Sequence, residues 1–146
     1  MLKKSLVAVL FSFIMAIGLG TSVFAAENVE QETTPEINEA LAAIEKINSD
    51  ITAEIKRVQG DAKILFDAYE SAAEKVERVS EKNKLHSAYN KEVNALINEL
   101  KATTREMTKT GMKNAREAGI NTRPVLIRVE FEDRFAMIDP ILVVGW

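Results

Sequence analysis

The chain carries one histidine and no cysteine. A nucleophilic cysteine is therefore absent, and a serine–histidine–aspartate triad would have to use His86, with Ser87 beside it. His86 lies in a polar stretch, where a solvated histidine is the ordinary reading. Zinc sites draw on several His or Cys ligands, so zinc is not expected. Glu70 with Glu74, and Glu77 with Glu81, are spaced to share a helix face. Carboxylate-based hydrolysis needs two acids converging in a cleft, and this pattern implies none. The six glycines are scattered, with neither a phosphate-cradling loop nor EF-hand spacing. The inventory points to no catalytic, cofactor-binding or metal-binding residues, and so to a protein that is not an enzyme.

The bases form the one repeated pattern with chemical consequences. Lys101, Arg105, Lys109 and Lys113 recur every four residues, and Arg116 extends the run. Such a stripe can face an anionic partner, here a membrane surface or a wall polymer. It can also serve structure, because positive charge favours the C-terminal end of a helix. Nucleic acid is not expected as a partner, since the chain is acidic overall at a formal charge of −3.

The elements that would position these residues begin after a leader. Lys3 and Lys4 precede an apolar, uncharged run over residues 5–20, and "VFA" ends at Ala25. This is the pattern of a Sec-type signal peptide cleaved after Ala25. The apolar run is short for a membrane span of about 20 residues, and no cysteine follows it to carry a lipid anchor. Export to the cell envelope or the medium is the expectation, and the leader looks bacterial. Losing Lys3 and Lys4 takes the formal charge from −3 to −5. Residues 26–34 read as a disordered acidic lead-in. Residues 35–146 then read as a single domain, held by packing without disulfides.

Within that domain Thr34, Pro35 and Glu36 make a helix start: cap, first-turn proline, first-turn acid. From Ile37 the apolar residues keep 4-3 spacing through Leu41, Ile44, Ile51, Ile55, Val58, Ala62, Leu65, Tyr69, Ala72, Val76 and Val79. Only Asn48 interrupts this seam of one helix against another. Ile47, Phe66, Ala68 and Ala73 flank it and widen the stripe beyond a two-stranded coiled coil. The phase passes unbroken through Gly60, so helix is expected over residues 35–80. Polar residues at the seam positions Asn83, His86 and Asn90 place a turn at residues 81–84. A second helix over residues 85–118 carries Leu85, Tyr89, Val93, Leu96, Ile97, Leu100 and Met107, with Gly119 as its cap.

Charge supports this antiparallel hairpin. Residues 27–54 carry a net −7 and residues 101–128 a net +5, and folding back lays one block beside the other. The alternative is one helix over residues 36–118 that pairs antiparallel with a second copy.

Residues 125–146 read as β structure. Ile127, Val129 and Phe131 share a face, "EDR" turns, and "FAMI" returns. A two-residue loop pairs Val129 with Ala136; a three-residue loop pairs it with Met137. "DP" at residues 139–140 is a bend or edge, and "ILVVGW" is a third strand or an extended cover. With the turn at 81–84, residues 37–47 would project about 15 Å without a partner. The strands are expected to cover Ile37, Leu41, Ile44 and Ile47, with Ile44 near Val129. Trp146 is expected to anchor the terminus.

The fold class is thus mainly α, a long helical hairpin with a small C-terminal β-hairpin or three-strand sheet. Long paired helices beside a small sheet resemble, in architecture alone, exported holdase chaperones of the periplasm. Those also carry strands early in the chain, where this sequence shows none, and the likeness transfers no residue. The functional expectation is an exported structural or protein-interaction protein, with an unknown protein or a second copy as partner. The alternative is a binder of anionic envelope components through the basic stripe.

Overall fold

The computed structural model describes residues 33–146. The expected signal peptide, its cleavage at Ala25 and most of the acidic lead-in lie outside the described residues. Two long helices pack antiparallel as a hairpin, α1 (Pro35–Glu74) and α2 (Val79–Glu117). Four short strands follow: β1 (Asn121–Pro124), β2 (Ile127–Glu130), β3 (Phe135–Ile138) and β4 (Ile141–Gly145).

The start and course of α1 follow from its sequence. The Thr34 hydroxyl accepts from the Ile37 amide at 3.3 Å, with Pro35 in the first turn. The helix runs through Gly60, which is exposed and has no neighbour near the position of a Cβ. Leu41, Ile44, Ile51, Ile55, Val58 and Ala62 are its buried residues, all of them seam positions.

The turn corrects the expectation. It falls at residues 75–78, ahead of residues 81–84, and α2 begins at Val79 without a side-chain cap. Asn83 and His86 are exposed on α2, and the Asn90 amide donates to the His86 ring at 3.2 Å. Asn90 also accepts from Arg134 at 2.6 Å. The polar seam positions therefore mark solvent and side-chain partners, where the sequence pattern alone suggested a break. Register near the turn is set by Tyr69, which stacks on Tyr89 with ring centroids 5.0 Å apart.

This earlier turn makes the helices nearly equal, at 40 and 39 residues. The end of α2 then reaches the start of α1, and Ala115 clusters with Leu41 and Ile44. Helix α2 closes as its sequence suggests. Gly119 has φ +83, its amide donates to Arg116 at 3.0 Å, and the Ile120 amide donates to Ala115 at 2.9 Å. This doubly bonded cap needs the left-handed backbone that glycine adopts without penalty.

The β region is two separate two-stranded antiparallel sheets, β1–β4 and β2–β3. The β2–β3 hairpin takes the two-residue-loop register: Val129 pairs with Ala136 and Ile127 with Ile138. Its turn is closed by the Phe131 amide donating to the Arg134 carbonyl at 2.8 Å. "ILVVG" does not extend this hairpin. It pairs with "NTRP" at residues 121–124, a strand upstream of the expected β segment.

Both sheets cover the helices, in different places. Ile120, Ile141, Val143 and Trp146 cover Leu41, Ile44 and Ile37. Val129 and Ile138 instead pack on Ile51, Ile55, Val58 and Leu100. The expected neighbour of Ile44 therefore changes from Val129 to the β4 residue Ile141. The displacement follows from the turn, because an earlier turn slides the end of α2 towards the start of α1.

A run of small residues on α2 admits this layer. Thr104, Thr108, Gly111 and Ala115 are all buried. A Cβ at Gly111 would collide with the ends of the Ile141 and Ile47 side chains. The Thr108 hydroxyl donates to the Asp139 carbonyl at 2.5 Å. From α1, the Asn48 amide donates to the Ile141 carbonyl, and its oxygen accepts from the Ile141 amide, each at 2.9 Å. Asn48 thus pairs with β4 as a neighbouring strand residue would, which explains the one polar break in the α1 seam.

Candidate interaction surfaces

The basic stripe lies along the outside of α2. Arg105, Lys109, Lys113 and Arg116 are exposed and Lys101 is half-buried. Lys109 and Lys113 have side chains 75% and 77% exposed, with only loose contacts at 3.7 Å to Glu106 and 4.0 Å to Glu117. Both contacts stay within α2. Among the described residues, every ion pair joins positions no more than four apart. The opposed charge blocks of the two helices therefore make no direct pairs. Their effect is confined to the longer-range field and the helix ends, and the stripe stays free towards solvent.

The residues with catalytic chemistry do not converge. His86 and Ser87 are exposed, as are Glu70, Glu74, Glu77 and Glu81. Among the described residues no group of three or more His, Asp or Glu side chains is placed to hold a metal ion.

The tightest polar cluster fastens the β2–β3 turn to α2. The Tyr89 hydroxyl donates to Asp133 at 2.8 Å. Arg134 donates to Asp133 at 2.7 and 2.8 Å, to Asn90 at 2.6 Å and to Asn94 at 2.8 Å. Burial, reinforced by the bond to Asp133, pushes the Tyr89 phenol up to about 12. The Arg134 guanidinium holds the Asp133 carboxyl below its usual range. At neutral pH the phenol is protonated and the carboxylate ionised, so the pair stays bonded. Tyr89, Asn90 and Asn94 of α2 all bond to Asp133 or Arg134 of the turn, which makes this cluster a fastening.

A different feature went unseen in the sequence. Ile64 is 68% exposed, on a helix whose other large aliphatic residues are mostly covered. It lines an open groove of about 410 Å³ between the two helices, floored by Leu65, Ala95 and Leu96. Asp61, Glu92 and Glu99 form its rim, and no strand residue borders it. Arg57 Nη1 donates to Asp61 at 2.8 Å and the same guanidinium pairs with Glu54. Glu92 and Glu99 have no ion-pair partner among the described residues.

The flanking apolar residues explain why periodicity missed the groove. A widened stripe says that a third layer exists but leaves open which edge it covers. Ile47 and Phe66 are packed under the sheets, whereas Ile64, on the opposite flank of Leu65, is left bare. The adjacent pair Ile64–Leu65 beside acids was the available signal.

Comparison with protein-family models, with curated proteins and with solved structures finds no match to this chain.

Proposed function

We propose that the chain is an exported, non-enzymatic interaction or structural protein that works through the surface of its helix pair. The observation that carries this reading is the apolar groove at Ile64, Leu65, Ala95 and Leu96. The sheets and the facing helix cover most of the apolar positions around it, and an aliphatic side chain as bare as Ile64 gains when something covers it. The leader over residues 1–25 supports a site of action in the envelope or outside the cell. The partner is another protein or a second copy of this chain.

A second reading is favoured by one specific observation. Lys109 and Lys113 project into solvent with only loose neighbours, and with Lys101, Arg105 and Arg116 they offer a binding face for an anionic membrane surface or wall polymer. One experiment separates the two. A photo-cross-linking residue is placed at Ile64 or at Lys109 in cells that export the protein. The first reading predicts a discrete protein adduct from position 64 and none from 109. Adducts to lipid or wall polymer from 109 alone, reduced by high salt, would replace it with the second.

A further inference from the structure

From the groove's rim charge and floor, we infer that it takes one short, basic amphipathic helix of a protein partner. The inference rests on the helix surface being the interaction site and names the chemistry of what binds there. The floor is aliphatic, with Ala95 leaving room for a close approach. The rim is acidic: Arg57 pairs directly with Glu54 and Asp61 and feels Glu99 only at longer range, so neither Glu92 nor Glu99 has a direct ion-pair partner among the described residues. These two are seven residues apart on α2, about 10 Å along the axis. A partner helix with apolar residues on one face and two bases about two turns apart fits both features at once.

The same charges weigh against the other occupants. Two grooves meeting about a two-fold axis would set Glu92 and Glu99 of one copy against the same acids of its mate, which costs energy in a partly desolvated contact. The basic stripe of a second copy has the right sign, but Met107 and Met112 between its bases are packed into the core clusters, and the exposed Ala102, Thr103, Glu106 and Thr110 beside the bases are too small or too polar to fill an aliphatic floor. An anionic lipid surface would be repelled by the rim.

The test uses the full mature chain and fluorescence anisotropy. The probes are a labelled synthetic helix with a leucine face flanked by lysines, its glutamate counterpart, and a lysine–leucine peptide of scrambled order. The lysine helix is expected to bind about tenfold or more tightly than either control. Glu92→Lys with Glu99→Lys reverses the preference between the lysine and glutamate helices. Ile64→Asp removes binding of both while the helical circular dichroism is kept. Lys101→Glu with Arg105→Glu leaves it unchanged. No binding, or binding indifferent to the groove substitutions, would overturn the inference. So would concentration-dependent dimerisation of the chain alone that Ile64→Asp abolishes, since it marks a second copy as the occupant. If position 64 still cross-links to a protein in cells while the lysine helix does not bind, the partner chemistry fails and the interaction reading stands.

Discussion

Deleting residues 143–146 should cost the fold about 3–5 kcal/mol, from the loss of partly buried Val143 and Trp146 packing together with strand pairing. Val143 and Trp146 pack on the cluster of Leu41, Ile44, Ala115, Ile120 and Ile141. The deletion also removes the partners of Asn121 and Thr122 in β1. The Trp146 indole nitrogen is buried without a hydrogen-bond partner, so its contribution is apolar contact alone. A small domain is stable by only about 5–15 kcal/mol, so the truncated chain should sit near the edge of folding. Urea denaturation followed by circular dichroism reads the effect directly. A midpoint unchanged by the deletion would make the tail an exposed appendage.

Replacing Asn48 by leucine gives the second large effect, and here the sign is decisive. Leucine completes the 4-3 apolar seam of α1, so helix pairing alone predicts a gain in stability. The structure predicts a loss of about 2–4 kcal/mol, because two backbone groups of Ile141 lose their partners in a partly buried place. Asn48→Asp should also destabilise, since its carboxylate would face the Ile141 carbonyl that the amide now serves. Thermal or urea unfolding of the two variants checks the order. A leucine variant more stable than the parent would show that Asn48 is a tolerated interruption.

Much of the helical layer was legible in the sequence because local rules and packing agree there. The Thr34 cap, the seam from Ile37 to Ala72, the passage through Gly60 and the Gly119 cap all follow from spacing and backbone preference. The turn was not legible. Residues 75–78 contain no glycine, proline or asparagine, and the polar residues at the seam positions Asn83, His86 and Asn90 mimicked a break. Strand β1 was missed because "NTRP" has little strand propensity and little burial; it exists because β4 needs a partner. The roles of Asn48, Thr108 and Gly111 depend on which segment of β structure crosses the helices, and no periodicity encodes that. The basic stripe could be read from its spacing, and its residues do lie together. The groove could not, because its acids and its aliphatic floor come from two helices whose register depends on the turn.

The central claim is that the helix pair carries a partner site on the face the sheets leave open. Accessibility of one thiol tests it most directly, and the chain has no cysteine to interfere. Ile64→Cys should react with a polar maleimide in the purified protein at the rate of an exposed thiol. In cells that produce the protein it should react about tenfold or more slowly, while a cysteine at the exposed Lys56 reacts alike in both settings. Equal reactivity at position 64 in the cells and in the purified protein would contradict the claim, since the groove would then stand bare where the protein works.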